Sequence, residues 1–433
     1  MSYYMGIDLG STTCKVVIID ENKEIVSKGI TNTRSDYTVA TRFAEQEAII
    51  MARFYFLENA LRENILKSPG IQVDIEKVLL LLESSFRLCD YKEKVLEMGE
   101  VSKSLTKKDG SKVSGILEDI FNSIYKEANQ VITNLSFNKG VFFRDLISSS
   151  FTKYLREIKD FEAVDKIVGY FDKSLLQIEN KFNEIDFVHT TLGTLNMDNL
   201  DNSVNYDDSI INLIKNSIED AGNYNFNIEN KVGTGYGRQR LPFPKDQIQS
   251  EILCHGMGAH QMFPKTRTVL DIGGQDTKAI RIDKNGVVTS FTMNDRCAAG
   301  CGRFLGYIAD ELNIGLQDLG PLALEAKKNV KISSTCTVFA GVELRDRLSL
   351  GERRSDILAG LHKAIVRRAV SLIARAGGVE NEFTFTGGVA RNVSVDKNLR
   401  EIIASRYGDV VINISPDSIY VGSLGAAMYA KVG

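Results

Sequence analysis

The stretch from Ile7 to Ser27 reads IDLGSTTCKVVIIDENKEIVS, and a second stretch that begins at Leu270 reads LDIGGQDTKAIRIDKNGVVTS. They align at a constant spacing of 263 residues, with matched pairs at Asp8 and Asp271, Gly10 and Gly273, Lys15 and Lys278, Asp20 and Asp283, and Asn22 and Asn285. Each copy predicts a strand, a tight turn, a strand, a polar turn and a strand. Two unrelated hairpins are the alternative, but one common register favours an internal repeat. We therefore predict an α/β fold with two similar lobes.

The chain between the two repeats has a different character. Residues 34–203 contain few glycines and carry apolar residues at helical spacing, as in Ile116, Leu117, Ile120, Phe121 and Ile124. We interpret 34–203 as a mainly helical insertion, which either contacts a partner or shields a core. Residues 1–33 and 204–266 are then the first lobe, and residues 267–433 are the second.

Composition excludes few functions. The chain has 433 residues, 43% of them hydrophobic, and a formal net charge of −3. This charge gives no indication of binding to nucleic acid or to an anionic membrane. Neither a signal-peptide core nor an apolar run of about 18 residues is present, so we expect a cytoplasmic protein.

The two repeated turns predict a nucleotide site. Glycines there allow close backbone approach, and hydroxyl and N–H groups can donate to phosphate oxygens. We predict catalytic roles for Asp8, Asp271 and Gln275, with the aspartates holding Mg²⁺ through its waters and Gln275 orienting the attacking water. The predicted binding residues in the two turns are Gly10, Ser11, Thr12, Thr13, Lys15, Gly273, Gly274 and Asp276. A third glycine turn, which could face an adenosine, adds Gly387, Gly388, Val389 and Asn392.

Three of the six cysteines lie in small-residue surroundings. Cys297 and Cys301 stand four apart, and Cys336 follows later, with Cys297 and Cys336 expected at helix N-termini. Such positions favour a thiolate and, equally, an anionic iron–sulfur cluster. A cluster takes four thiolates, so a dimer could supply two from each subunit. Plain buried thiols, a thiol pair or a zinc site remain alternatives.

These motifs together resemble a known family. Gly235–Arg238, Asp271–Asp276, Asn294–Gly300, Ser333–Phe339 and Thr386–Ala390 are similar to the ATPase activators of 2-hydroxyacyl-CoA dehydratases and the ATPase subunits of benzoyl-CoA reductase. The resemblance covers Tyr3–Thr31 and roughly Asp207–Val432. It implies a fold like that of actin, hexokinase and the heat-shock chaperone ATPases (the ASKHA fold).

The resemblance also implies chemistry and partners. Two related subunits, identical or different, would share one [4Fe-4S] cluster, bound here by Cys297 and Cys336. Reduced ferredoxin or flavodoxin would supply an electron, and ATP hydrolysis would drive it to subunits that reduce or dehydrate a CoA thioester. Simple activators carry a hydroxyl residue in place of Cys301 and lack the insertion. For the second reason the sequence favours the larger ATPase subunit of a benzoyl-CoA reductase over a homodimeric dehydratase activator.

Two further hypotheses come from other classes. A small-molecule kinase, such as a sugar kinase, would explain the phosphate turns and leave Cys297 and Cys336 without a role. An assembly protein that uses nucleotide as a structural switch would suit the insertion. We interpret His255 and His260 as structural, and we do not favour a metal site at Cys254 and His255.

Overall fold

The computed structural model of the chain describes residues 1–33, 36–68, 70–107, 111–135, 142–158, 161–195, 207–294, 301–312, 314–328, 330–332 and 337–432. It divides into two compact units. One comprises Met1–Lys28 and Asn227–Gly433, and the other is Gly29–Phe226. The insertion predicted at 34–203 lies inside the second unit, whereas the division of the first unit into two lobes at the predicted boundaries stays a prediction.

The regular elements follow one another in this order. The strands are β1 Ser2–Leu9, β2 Thr13–Asp20, β3 Ile25–Asn32, β4 Asn227–Thr234, β5 Thr268–Ile272, β6 Thr277–Ile282, β7 Val288–Asn294, β8 Phe383–Thr386 and β9 Ile412–Asn413. The helices are α1 Tyr37–Leu66, α2 Ile75–Thr106, α3 Ser111–Leu135, α4 Phe143–Leu155, α5 Phe161–Asn180, α6 Phe187–Leu195, α7 Asp208–Asn223, α8 Glu251–Met262, α9 Gly302–Leu312, α10 Leu319–Leu324, α11 Thr337–Ser349, α12 Arg354–Arg375, α13 Val393–Tyr407 and α14 Val421–Val432.

The predicted duplication is visible in the two sheets. Their strand orders are β3-β2-β1-β4 and β7-β6-β5-β8-β9. In the first, β1 runs antiparallel to β2 and parallel to β4. In the second, β5 runs antiparallel to β6 and parallel to β8. The same connectivity built from aligned sequence confirms the internal repeat.

The polar turns of the repeats are also equivalent. The carboxylate of Asp20 accepts the main-chain N–H groups of Asn22 and Glu24, at 2.8 and 2.9 Å. That of Asp283 accepts the N–H groups of Asn285 and Val287 at the same two distances. An aspartate that bonds its own following backbone stabilises a tight turn. The matched aspartates therefore close the connections from β2 to β3 and from β6 to β7.

Helices α8 and α14 pack closely on each other because glycines face backbone. A Cβ at Gly258 would stand 1.9 Å from the Val421 carbonyl oxygen, and one at Gly425 would stand 1.8 Å from that of Cys254. Helix α14 also packs on the first sheet, where a Cβ at Gly6 would stand 2.0 Å from the Ser423 carbonyl oxygen. Helix α8 contributes apolar side chains to a core with β5 and β6. The helix pair thus connects the two sheets.

The second unit is helical and has its own core. Beyond Asn32, every regular element in its described residues is an α-helix. Helices α1, α2 and α7 are capped by Asp36, Asp74 and Asp207, whose carboxylates accept N–H groups of the first turn. Helices α2, α3, α4 and α5 share one apolar cluster, in which Leu117, Ile120, Phe121 and Ile124 are buried as their spacing predicts. Among the described helices, none combines the length and apolar character that a membrane crossing requires.

Candidate nucleotide-binding site

The first repeated turn joins β1 to β2. The N–H of Gly10 donates to the Thr13 carbonyl oxygen at 3.1 Å, and the register of the strands pairs Asp8 with Lys15. Lys15 Nζ lies 3.0 Å from Asp8 Oδ2. Burial opposes the charge of Lys15, but the neighbouring Asp8 carboxylate outweighs burial and raises its pKa. The turn is therefore closed by its own backbone, and the strands that flank it carry an ion pair.

The second turn repeats this arrangement and adds partners. The N–H of Gly273 donates to the Asp276 carbonyl oxygen at 3.0 Å. Lys278 is 1% exposed, and its Nζ lies 2.6 Å from Asp276, 2.9 Å from Glu251 and 3.6 Å from Asp271. Burial opposes its charge, but these carboxylates raise the pKa of Lys278. Lys278 was missed as a site residue, although its match to Lys15 in the repeat could have found it.

Asp271 is the most enclosed of the predicted catalytic side chains. It is 1% exposed, accepts a hydrogen bond from Thr386 Oγ1 at 2.9 Å, and lies 3.3 Å from His255 Nδ1. Burial would raise its pKa, but the His255 and Lys278 charges hold the pKa well below its usual range. The pKa of His255 is raised in turn, because Asp271 outweighs burial. Glu251 and His255 therefore belong to the site. They are four residues apart, and this helical spacing in the sequence could have indicated that both side chains lie on one face of α8.

The two turns face each other. A Cβ at Gly274 would stand 2.2 Å from Thr12 Oγ1 and 3.6 Å from Ser11 Oγ. The guanidinium of Arg303 donates to the Ser11 carbonyl oxygen at 3.5 Å. Ser11 and Thr12 are thereby brought against Gly274, so that the predicted binding residues of the two turns lie together.

Further glycines enclose Asp8, and they were not among the predicted site residues. Gly235 has φ +95°, and a Cβ there would stand 2.4 Å from Asp8 Oδ1. The N–H of Gly237 donates to the Leu9 carbonyl oxygen at 2.9 Å. A Cβ at Gly422 would stand 3.0 Å from both Asp8 Oδ2 and His255 Nε2. Gly235 and Gly237 follow β4 closely, and this pair of glycines in the sequence could have indicated a turn near the site. No sequence pattern indicated that Gly422 contacts Asp8.

The third glycine turn has mixed roles. Gly387, at φ +85°, lies against the Ile272 carbonyl oxygen, where a Cβ would stand 2.3 Å away. Gly388 has open space beside it. Val389 is buried, and the Asn392 side chain accepts the N–H groups of Ser394 and Val395 at the start of α13. Gly388 thus keeps the exposure that a ligand contact needs, while Asn392 serves as a helix cap.

Helices α9 and α11 lie side by side. Tyr307 Oη lies 2.5 Å from the position of a Cβ on Gly341, and Arg345 Nη1 lies 2.7 Å from Glu311 Oε2. Both contacts join residues 34 apart, so the helices run parallel and their first residues lie at one end. Cys336 directly precedes α11, and Cys297 precedes α9 by a few residues. Both cysteines, predicted to bind metal, lie outside the described residues.

Cys301 is described, and its thiol is enclosed by the protein. Its side chain is fully buried, and Sγ lies 3.4 Å from Thr277 Oγ1. Burial raises the pKa of Cys301 to about 11. In the structure this thiol packs among buried side chains beside a hydroxyl group.

The sequence as a whole matches one family model. The BadF/BadG/BcrA/BcrD ATPase family covers residues 5–430. The chain belongs to this family. The match spans almost the whole length, including the segments on both sides of the helical unit. As a member of an ATPase family, the chain is expected to bind ATP, in agreement with the two facing turns.

Individual family members are similar over part of the chain. The activating ATPase of (R)-2-hydroxyglutaryl-CoA dehydratase from Acidaminococcus fermentans is 46% identical over 199 residues, which are 46% of this chain and 74% of that protein. One of the subunits of benzoyl-CoA reductase from Thauera aromatica is 34% identical over 212 residues, 49% of this chain and 74% of that protein.

The fold agrees with a solved structure. The (R)-2-hydroxyglutaryl-CoA dehydratase component A of Acidaminococcus fermentans superposes with a TM-score of 0.51 at 24% identity, covering 100% of this chain and 98% of that one. At this identity the likeness concerns the fold alone. Together with the duplicated sheets, it confirms the predicted actin- and hexokinase-like ASKHA fold.

Proposed function

We propose that this family member is an ATP-hydrolysing activator that drives electrons into a 2-hydroxyacyl-CoA dehydratase. The observation that carries the proposal is the bonded connection from the second phosphate turn to α9. The N–H of Gly302 donates to the Gly273 carbonyl oxygen at 2.8 Å, and that of Arg303 to the Gly274 carbonyl oxygen at 2.9 Å. A change at the nucleotide can therefore reach, without intermediaries, the helix that follows Cys297.

The chain's own residues divide the work of hydrolysis. The N–H and hydroxyl groups of Ser11 and Thr12 on one side, and the Gly274 backbone on the other, would hold the phosphates. Gln275 is partly exposed and would orient the attacking water. ATP and water are converted to ADP and phosphate, and no small substrate is phosphorylated.

Mg²⁺ suits this site through its waters. Asp8 and Asp271 already have lysine partners, Lys15 and Lys278. Each carboxylate is therefore partly neutralised and unsuited to direct coordination, while its remaining acceptor capacity can bind water ligands. Mg²⁺ usually keeps several waters, so this is an ordinary way of holding it.

An iron–sulfur cluster would supply a one-electron carrier of low potential. We propose Cys297 and Cys336 as its ligands, with two more from a second subunit. The parallel placement of α9 and α11 supports this, since the two helices, which follow Cys297 and Cys336 in the sequence, begin at the same end of the helix pair. A reduced ferredoxin or flavodoxin would lose one electron, and the CoA-ester-processing partner would gain it. Nucleotide can drive this only through unequal affinity for two states of the protein.

Sequence similarity supports the choice of partner. The long insertion, which simple activators lack, favours benzoyl-CoA reductase when the sequence is considered alone. However, the dehydratase activator is 46% identical and the benzoyl-CoA reductase protein 34% identical, over similar shares of this chain. The dehydratase activator is therefore the better-supported function, and an ATPase component of a benzoyl-CoA reductase is the second candidate. We propose that the helical unit docks the chain to its partner.

The decisive experiment is anaerobic purification of the full chain with its genomic neighbours. Iron and sulfide would be quantified, and EPR spectra recorded after reduction, with and without ATP, for wild type, Cys297→Ala and Cys336→Ala. We expect one [4Fe-4S] cluster per two ATPase subunits, lost in either variant and altered spectroscopically by ATP. Iron-free anaerobic protein, with ATP hydrolysis unchanged in both variants, would instead support a kinase-like function.

A second assay separates the two candidate partners. The reduced, ATP-supplied chain would be added to an inactive 2-hydroxyacyl-CoA dehydratase or to the reducing subunits of a benzoyl-CoA reductase. We expect ATP-dependent activity with the dehydratase. Activity only with the reducing subunits would favour the second candidate.

A further inference from the structure

Arg303 is the residue that spans the two phosphate turns. Its main-chain N–H donates to the Gly274 carbonyl oxygen of the second turn at 2.9 Å. Its guanidinium donates to the Ser11 carbonyl oxygen of the first turn at 3.5 Å. It is also the second residue of α9. One side chain thus connects both turns to the start of a helix.

The charge environment distinguishes Arg303 from the lysines of the turns. Lys278 is buried and Lys15 is half-buried, and both are already paired with carboxylates. Arg303 is exposed, and its side chain contacts a neutral carbonyl oxygen. A guanidinium forms stronger, charge-assisted bonds with phosphate than with a neutral carbonyl. Phosphate in the cleft would therefore compete successfully with Ser11 for this group.

The position of the turns indicates which phosphate is concerned. The third glycine turn, which the sequence predicts to face the adenosine, lies through Gly387 against Ile272, the last residue of β5 before the second turn. A phosphate chain that started there would meet the second turn before the first turn. Its terminal group is then the one nearest Ser11.

We propose that Arg303 binds the γ-phosphate of ATP and thereby reports the nucleotide state to α9. With ATP, the guanidinium leaves the Ser11 carbonyl for the γ-phosphate. With ADP it returns. Because the Arg303 N–H is held by Gly274, the exchange acts on the first turn of α9. This inference rests on the proposed function, since it assigns a residue to the same ATP site.

The test compares ATP-like and ADP-bound states of the full chain. Affinities for ADP and for a non-hydrolysable ATP analogue would be measured by calorimetry for wild type, Arg303→Gln and Arg303→Lys. The matched control is Arg354→Gln, an exposed arginine at the first position of α12. We expect Arg303→Gln to weaken analogue binding at least tenfold and ADP binding less than twofold. Arg303→Lys keeps the charge but lacks the planar guanidinium, so its affinity for the analogue should lie between those of wild type and Arg303→Gln. Arg354→Gln should bind both nucleotides as wild type does.

A second readout follows the helix itself. Amide hydrogen exchange of residues 302–312 should differ between the ADP and analogue states in wild type and in Arg354→Gln. That difference should disappear in Arg303→Gln. If Arg303→Gln keeps both the affinity ratio and the exchange difference, the inference is wrong while the ATP site stands. Wild-type protein that binds neither nucleotide would overturn the inference and the proposed function together.

Discussion

The main-chain N–H of Gly302 donates to the carbonyl oxygen of Gly273, 2.8 Å away. Helix α9 therefore begins on the second of the two repeated turns. The first N–H groups of a helix have no partner within it, and here two of them bond to the turn carbonyls. A Cβ at Gly302 would stand 3.3 Å from that same oxygen, so glycine allows the close approach. Displacement of the turn must then displace the helix start or break these bonds.

Because the two turns are in contact at Gly274, we expect a side chain at this position to reduce ATP hydrolysis. Gly274→Ala would place a methyl group 2.2 Å from Thr12 Oγ1, forcing the turns apart. We expect kcat/KM for ATP hydrolysis to fall at least tenfold, with the free energy of unfolding lowered by about 1–3 kcal/mol through overpacking. Gly306→Ala is the control, because nothing lies within 4 Å of its added Cβ and alanine favours a helix. Unchanged hydrolysis by Gly274→Ala would contradict the facing arrangement.

We expect replacement of Lys278 to lower the stability of the fold strongly. It is the common partner of Asp271, Asp276 and Glu251. Lys278→Met would leave these carboxylates without their cation, and breaking a buried ion pair costs about 3–5 kcal/mol. Denaturant unfolding would measure this loss. Lys284→Met, at an exposed turn position, should change the free energy of unfolding by less than about 0.5 kcal/mol. Equal effects of the two substitutions would refute the structural role of Lys278.

We expect His362 to make the free energy of unfolding depend on pH. It is fully buried, and burial lowers its pKa to about 4. The folded state therefore keeps it neutral while the unfolded state takes up a proton below about pH 6.5. Consequently, the free energy of unfolding should fall as the pH decreases from about 6.5 to about 4. At about 1.4 kcal/mol per pH unit, the loss reaches roughly 3 kcal/mol.

The contribution of His362 is isolated by comparing variants across that pH window. His362→Gln should show a shallower decline than wild type, because it removes the group that binds the extra proton on unfolding. His189→Gln, at an exposed position on α6, should decline in parallel with wild type. Denaturant titrations at several pH values would measure both. Parallel curves for wild type and His362→Gln would show that this histidine is not held neutral.

We expect replacement of Cys301 to leave the iron–sulfur content of the protein unchanged. Its buried thiol beside Thr277 has its pKa raised to about 11, so it is a poor source of thiolate. We expect Cys301→Ser to retain full iron and sulfide content in anaerobic protein, while Cys297→Ser and Cys336→Ser lose it. Loss of iron from Cys301→Ser, with its fold intact by circular dichroism, would make this thiol a ligand after all.

Several features were predictable because they depend on local spacing. The constant register of the two repeats is enough to predict matching hairpins, and an antiparallel register brings Asp8 beside Lys15 and Asp271 beside Lys278. The helical character of the insertion follows from its apolar periodicity. Family motifs then identified the ATPase class without any coordinates. The preference for benzoyl-CoA reductase was less well founded, because insertion length carries no chemistry.

The sequence by itself therefore determined the duplicated strands and the two turns, since each requires only residues a few positions apart. Only the tertiary structure brought Gly274 against Thr12, Glu251 and His255 to Lys278 and Asp271, and Gly422 over Asp8. The tertiary structure also shows that Asn392 caps α13 and that the first N–H groups of α9 donate to the second turn. These contacts link segments far apart in the chain, and they depend on the packing of α8, α14 and the two sheets. Local sequence patterns do not encode such packing.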